Sequence, residues 1–476
     1  MKDSLFNKFL QFSYGSFISL FIGLGSSMLI TRIISPENLG KSSMYTLAIS
    51  VLMIFIVFGT DQAFVRFFYE EDMEKRPKLL FNCVEIPMII LIFVSIIILL
   101  FGSRITTYLF GEKSFTIALA LVFGTIFNVF NRYGMLVIRM QQKGKRYSNA
   151  KIINKVLVFI AIILFYLVIG GQYEIIIFSN LIALVISTIL IIRLEKTFWN
   201  FDNVKQLAYK HKKLDIIKFS YPLMFTTIIS WLFQSFDKIA LREWSTFTEL
   251  GLYAASFRII ALINVIQTAF TTFWTPVCYE HYEKKPNDTQ FYERMFNIVS
   301  FFMLLIAVAC ISGKDFIISL LGKDFKAAAN IMPFLVFMPV MYTVSETTVI
   351  GVNFAKKTNW HIVIAGISCL TNLIGNGILV PKYGAIGASI ATAFSYIVFF
   401  TLRTVISLHF YRIKYGLKRY YLMIMLVCLY AVFSIVNPSF IFNILVGLIV
   451  LTLMCYVYRK EIKDIYYSYV KDKKLA

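Results

Sequence analysis

The chain has 476 residues, of which 58% are hydrophobic and 15% charged, with a mean hydropathy of +0.73. Soluble globular domains are about 45–50% apolar and about 25% charged, so composition excludes a soluble enzyme, a disordered chain and a fibre, and leaves a polytopic membrane protein. The formal net charge of +21, from 47 Lys+Arg against 26 Asp+Glu, fits the Lys/Arg enrichment of cytoplasmic membrane-protein loops and needs no nucleic acid to explain it.

A membrane-spanning helix needs about 20 apolar residues. Apolar runs bounded by charge, Gly or Pro predict fourteen of them in an all-α protein. They lie near 9–34, 42–66, 79–101, 115–139, 149–169, 173–193, 216–241, 250–275, 291–312, 327–352, 359–380, 384–408, 418–436 and 439–458. The N-terminus, MKDSLFNKFLQFSYGSF, starts basic, and its apolar segment runs to about Ile34 without an A-x-A site. It reads as a first spanning helix, not a cleaved signal peptide. The turns at Gly170-Gly171, Pro381-Lys382 and Asn437-Pro438 are read as hairpins, because the flanking runs are too long for one helix. With the N-terminus inside, and with Lys/Arg toward helix ends assigned to the adjoining segment, the inside segments carry 33 Lys/Arg, the outside loops 9 and the helix interiors 5. This asymmetry predicts cytoplasmic termini, and cytoplasmic loops near 143–146, 205–213 and 412–419.

The connections exclude other chemistries. No outside loop exceeds roughly fifteen residues, and a domain needs at least about 50. The longest inside segment, about 194–215, is equally too short. The stretch Gly102…Gly111-Glu-Lys-Ser114 has the wrong spacing for a phosphate loop. Cys83, Cys278, Cys310, Cys369, Cys428 and Cys455 lie in or beside apolar runs without CxxC pairing, and read as small apolar residues rather than metal ligands or disulfides. The sequon at Asn287-Asp288-Thr289 falls on a predicted inside loop. No metal, cofactor or catalytic residue is expected.

An internal repeat is visible. Phe12-Ser-Tyr-Gly15 matches Phe219-Ser-Tyr-Pro222 at an offset of 207, and Tyr69-Glu70 matches Tyr279-Glu280 at 210. Gly40 with Gly251, Gly111 with Gly322, and Lys145-Arg146 with Lys356-Lys357 all give 211. Five ordered matches at a near-constant offset predict two six-helix repeats. Six is even, so the copies are parallel, related by an axis along the membrane normal. The expected lobes are 1–200 and 201–412, with helices 13 and 14 and a tail as an appendix over 413–476. Two-lobed proteins of this type hold a substrate cavity between the lobes.

An ionisable side chain inside the bilayer costs about 2.5–3.5 kcal/mol on insertion scales and is read by default as functional. The candidates are Asp61, Arg66, Glu85, Arg132, Lys155, Asp237, Lys238, Arg258 and Glu346. Asn128, Arg132, Arg139 and Gln142 share one helix face, as do Tyr342, Glu346 and Asn353, and His361, Ser368, Asn372 and Asn376. Bland readings stand beside these. Arg66, Arg139 and Lys155 sit near helix ends, where they can snorkel. Asp237 and Lys238 can neutralise each other, Glu85 can pair with a neighbouring base, and His361 can cap a helix. Arg132 and Arg258 resist such readings, since each lies roughly 10 Å inside its nearer helix end at 1.5 Å per residue. Arginine suits an anionic, phosphate-bearing substrate, because guanidinium binds phosphate bidentately.

Residues 12–66, FSYGSFISLFIGLGSSMLITRIISPENLGKSSMYTLAISVLMIFIVFGTDQAFVR, and 372–396, NLIGNGILVPKYGAIGASIATAFSY, resemble the polysaccharide-biosynthesis flippases. These O-antigen and capsule repeat-unit translocases belong to the multidrug/oligosaccharidyl-lipid/polysaccharide exporter superfamily. The resemblance covers essentially the whole chain. It implies a fold like that of the multidrug (MATE) transporters and lipid II flippases, with a cationic central cavity and with helices 13 and 14 peripheral. It implies movement of an undecaprenyl-diphosphate-linked oligosaccharide from the inner to the outer leaflet of a bacterial cytoplasmic membrane. Membrane lipids, a polymerase and other polysaccharide-assembly proteins would be partners, and ion-gradient coupling is often proposed. Arg66 matches the Arg that commonly follows the G-x-x-x-A motif ending helix 2, here Gly59 to Ala63. The substrate-binding candidates are therefore Arg66, Arg132, Lys155, Arg258 and Asn372, and the ion-coupling candidates Asp61, Glu346 and Asp237. A drug or cation antiporter would want acids deep in helices 1 and 7, and helix 1 has only Asp3 nearby. A multispan glycosyltransferase or polymerase would want acids on a sizeable outer loop.

Overall fold

A computed structural model describes residues 2–200, 211–437 and 439–463, with side chains at 11 and from 14 onward. Most of the predicted loop 205–213, Pro438 of the predicted Asn437-Pro438 turn, and the tail beyond 463 lie outside the described residues. Among the described residues there are helices and no strands. The chain divides into two compact units, Met1–Trp231 and Leu232–Ala476.

In the first unit the helices are α1 (Lys2–Ile33), α2 (Pro36–Val57), α3 (Thr60–Phe67), α4 (Arg76–Phe110), α5 (Phe115–Met140), α6 (Gly144–Ile169) and α7 (Glu174–Leu194). The start of α8 (Lys213–Trp244) belongs to it as well. Helix starts follow the capping chemistry: Ser35 and Ser114 accept from the backbone N–H three residues on, and Pro36 opens α2. The break between α2 and α3 is made by Phe58 (φ 52°) and Gly59 (φ 76°). A Cβ at Gly59 would lie 2.7 Å from the Ser220 carbonyl oxygen, so both the backbone angle and the packing require glycine. Ile56, Phe64, Phe68, Leu80, Val137 and Ile216 form the buried apolar centre around these elements.

The loop between α5 and α6 is tied to the end of α7 through Glu195. Its carboxylate accepts from Lys143 Nζ and Gln141 Nε2 on Oε2, at 2.7 and 2.8 Å, and from Arg146 Nη1 on Oε1, at 2.9 Å. Burial acts to raise the Glu195 pKa, but hydrogen bonds from Lys143, Gln141 and Arg146, together with the Lys143 charge, outweigh it and hold the pKa below the ordinary range. A carboxyl whose pKa is lowered on folding contributes stability that is complete above its ordinary value, about 4.5, and is lost as the pH falls below it. The thermal midpoint of the wild type should therefore drop more steeply below that pH than the midpoint of Glu195→Gln. Parallel pH profiles would contradict the clasp.

The second unit continues α8 and adds α9 (Phe247–Ile260), α10 (Ile263–Lys284), α11 (Thr289–Ser312), α12 (Lys314–Ser319) and a 3₁₀ segment (Lys323–Asn330). It ends with α13 (Met332–Leu335), α14 (Phe337–Thr348), α15 (Ile350–Phe354), α16 (Asn359–Phe410), α17 (Leu417–Val436) and α18 (Phe440–Val457). Thr246 and Asp288 cap α9 and α11 through their side-chain oxygens.

Eleven described helices are long and apolar enough to cross a membrane, or thirteen if each of two bent pairs is one span. The bends are 42° between α9 and α10 and 52° between the 3₁₀ segment and Met332–Thr348. The expected number was fourteen, and that tally treats α16, 52 residues long, as a single helix. At 1.5 Å per residue such a helix would be about 78 Å long, against a hydrocarbon core of about 30 Å. Gly384, at φ 54° and ψ −131°, breaks it. The two arms then run back along each other: a Cβ on Gly375 would meet Ala391 Cβ at 3.0 Å, and one on Gly387 would meet the Leu379 carbonyl oxygen at 2.3 Å. In a straight helix, residues sixteen apart are separated by about 24 Å. The hairpin expected at Pro381-Lys382 is therefore present, with its turn at Gly384.

Candidate functional site

In the first unit the charge sits beside the α2–α3 break. Asp61 occupies the first turn of α3, where the positive end of the helix dipole favours a carboxylate. It is 3% exposed. Its Oδ2 accepts from both Nε and Nη2 of Arg132, at 2.9 and 2.5 Å. The Arg132 side chain remains 48% exposed, so one face of the guanidinium is held and the other stays open. Asp61 and Arg132 are 71 residues apart in sequence. Below the pair, Tyr133 and Thr60 share a 2.6 Å hydroxyl contact.

Arg66 is exposed at the other end of α3 and pairs with Glu70. Glu70 in turn meets His211 Nε2 at 2.9 Å. Glu85 pairs with Lys213 at 2.6 Å, the neighbouring base that the sequence left open. Lys155 is exposed on α6.

In the second unit the centre is Asp237, which is 3% exposed. Oδ2 lies 2.6 Å from the Tyr253 hydroxyl and 2.8 Å from Thr392 Oγ1, and Oδ1 accepts from Asn372 Nδ2 at 3.0 Å and Asn376 Nδ2 at 2.8 Å. Among the described residues it makes no ion pair. No direct ion pair joins it to Lys238, because successive residues on a helix point in different directions; Lys238 lies over the Phe257 ring, 5.7 Å from its centroid. Asn372 is fully buried and spent on Asp237, so it holds that carboxylate and does not present itself to a substrate. Asn376 Oδ1, also buried, has no donor among the described residues.

Glu346 is bound by Arg403 Nη1 at 2.7 Å, and the same nitrogen reaches Ser345 Oγ at 2.6 Å. The guanidinium also lies over the rings of Phe399 and Tyr342, 5.1 and 5.4 Å from their centroids. Arg403 is absent from the candidates taken from the sequence, although the run 384–408 encloses it and the rule that admits Arg66 at a helix end admits it as well.

Arg258 sits in the last turn of α9, just before the bend into α10. A cation suits the negative end of the helix dipole there. It is half-buried, and among the described residues it has neither an ion pair nor a hydrogen bond. Broken helices inside a membrane place helix ends, with their dipoles, at ion and substrate sites. Asp61 and Arg258 both stand at such ends. No group of three or more His, Cys, Asp or Glu able to hold a metal occurs among the described residues.

The fold is similar to that of the lipid II flippase MurJ in an inward closed conformation, with 18% identity over 95% of this chain and 99% of that one and a TM-score of 0.71. It is also similar to a multidrug resistance MATE family transporter of the MOP superfamily. In the inward-facing state the identity is 16% over 83% of this chain and 93% of that one, with a TM-score of 0.63. In the outward-facing state the figures are 14%, 84%, 94% and 0.54. At such identities the likeness concerns the fold. No curated protein matches the sequence. Residues 6–281 match the family described as polysaccharide biosynthesis protein. That is more than half of the chain, which therefore belongs to the polysaccharide biosynthesis protein family.

Proposed function

We propose that the protein moves an undecaprenyl-diphosphate-linked oligosaccharide repeat unit from the cytoplasmic to the outer leaflet, supplying capsule, O-antigen or exopolysaccharide assembly. It is a transporter and catalyses no bond making. The observation that carries the reading is Arg258, a cation without a counter-ion among the described residues at a helix break in the membrane. Leaving such a charge in lipid costs about 2.5–3.5 kcal/mol or more, and a diphosphate passing through is the partner that offsets it. In the first unit, Arg132 offers a phosphate ligand through the edge that Asp61 leaves open. Proton or cation binding at Asp61 weakens its hold on Arg132 and so couples an ion to the headgroup. Asp237 and Glu346 are the further ion-coupling groups, with Asn372 positioning Asp237. Arg66 and Lys155, both exposed, are headgroup contacts on the approach path. Lipid-linked oligosaccharide and membrane lipids are the partners, with a polymerase downstream.

The repeat supports two six-helix lobes, 1–200 and 201–412, each entering the bilayer from the cytoplasmic side, with 413–476 appended. In intact cells, cysteines placed at Lys145 and Arg412 should resist an impermeant thiol reagent and react once the cells are opened. Labelling of either in intact cells would overturn the topology. Depletion of the protein should accumulate the lipid-linked unit in the inner leaflet and stop surface polymer. Continued polymer at the wild-type rate would refute the functional reading.

A further inference from the structure

We propose that a cavity in the first unit, lined by Tyr45, Thr46, Asn128, Asn154 and Asn180, binds the first sugar ring of the lipid-linked substrate. The proposal rests on the reading above. The cavity has a volume of about 240 Å³ and is built from α2, α5, α6 and α7. That is below the roughly 300–1,000 Å³ of drug-sized pockets, and suits one pyranose ring.

Its chemistry is unusual for a membrane interior. Asn128 and Asn180 each donate Nδ2 to the backbone carbonyl four residues earlier, of Gly124 at 2.7 Å and Ile176 at 2.6 Å. Asn154 donates Nδ2 to Ser187 Oγ at 3.1 Å. Each nitrogen commits one of its two N–H groups in this way, and all three Oδ1 atoms remain acceptors, none with a donor among the described residues. Three uncharged acceptors call for a ligand that brings hydroxyl donors. The wall carries no carboxylate, which argues against a cation.

Position ties the cavity to the headgroup. Asn128 and Arg132 are four residues apart on α5 and share a face, about 6 Å along the axis. A phosphate held on the open side of Arg132 therefore leaves its glycosidic neighbour beside Asn128. Tyr45 closes the cavity on another side, with its hydroxyl on the Ala120 carbonyl at 2.8 Å. A Cβ at Gly124 would come within 2.3 Å of that hydroxyl, so an alanine there displaces the phenol and alters the cavity that both residues line.

The test is binding to the purified full chain in nanodiscs, with bare undecaprenyl diphosphate and its glucose, galactose, N-acetylglucosamine and N-acetylgalactosamine derivatives. The wild type should bind at least one glycosylated lipid about tenfold tighter than the bare lipid. Asn128→Leu with Asn154→Leu, and separately Gly124→Ala, should erase the preference while retaining affinity for the bare lipid. Asn180→Leu, at an exposed position, gives a variant whose folding is not at stake, and should reduce the preference. Equal binding of all lipids by the wild type, or an unchanged preference in all three variants, would overturn the subsite and leave the diphosphate reading standing. Failure to bind any of the lipids would overturn both.

Discussion

Arg258→Ala should slow polymer export sharply at an unchanged level of membrane protein, because among the described residues the side chain has no hydrogen-bond or ion-pair partner to leave stranded. Hydrogen bonds to charged groups are worth roughly 1.5–3 kcal/mol, so each lost arginine should slow translocation on the order of 10- to 150-fold. Arg258→Lys should restore export partly, since an ammonium lacks the planar fork. Arg132 needs a different design. Its removal strands Asp61, which is 3% exposed, and breaking a buried pair costs about 3–5 kcal/mol. Arg132→Ala alone should therefore lower both export and protein level. Arg132→Ala with Asp61→Asn should restore the level and leave export lost. Quantitative blots of protein beside surface polymer separate the two. Full export by the Arg132→Ala, Asp61→Asn, Arg258→Ala variant would show that these charges are structural.

Asp237→Ala should be among the most destabilising single changes in the second unit. It leaves Tyr253, Thr392, Asn372 and Asn376 without their acceptor, at about 1–3 kcal/mol for each buried group left unpaired. Asp237→Asn keeps the shape and removes the charge. It should fold, purify and bind the bare lipid, and under the proposed coupling it should lose the response of transport to an ion gradient that the wild type is expected to show. Thermal unfolding in detergent and gradient-dependent transport measure the two effects. An unshifted midpoint for Asp237→Ala would contradict the cluster's structural weight. Full gradient response in Asp237→Asn would remove Asp237 from the coupling.

Hydropathy alone made the helical architecture legible, because every span must satisfy its backbone internally and show a long apolar run. What it could not show was where the helices break. Phe58-Gly59 and the α9–α10 bend lie inside apolar runs, so nothing in composition marks them. The two bends and the fold-back at Gly384 are also why a count by length departs from a count by apolar runs. Among the charges, depth singled out Asp61, Arg132, Asp237, Arg258 and Glu346, but partners separated by 57 to 155 residues, such as Arg403 for Glu346 and Thr392 for Asp237, follow from tertiary packing. Adjacency does not make Asp237 and Lys238 a direct ion pair, since neighbours on a helix diverge by about 100°. Asn372 was found by its place on a polar face, and only the fold showed that the face is turned onto a carboxylate.

The central claim is that the chain carries a diphosphate headgroup across the bilayer on Arg132 and Arg258. Reconstitution into proteoliposomes with a fluorescent undecaprenyl-diphosphate-linked oligosaccharide, quenched from outside by a membrane-impermeant reductant, measures this directly. The account predicts that wild-type protein exposes label from the inner leaflet and that the Asp61→Asn, Arg132→Ala, Arg258→Ala variant leaves about half of it protected, as protein-free vesicles do. Equal quenching in wild-type and protein-free vesicles, or wild-type exposure by the variant, would contradict it.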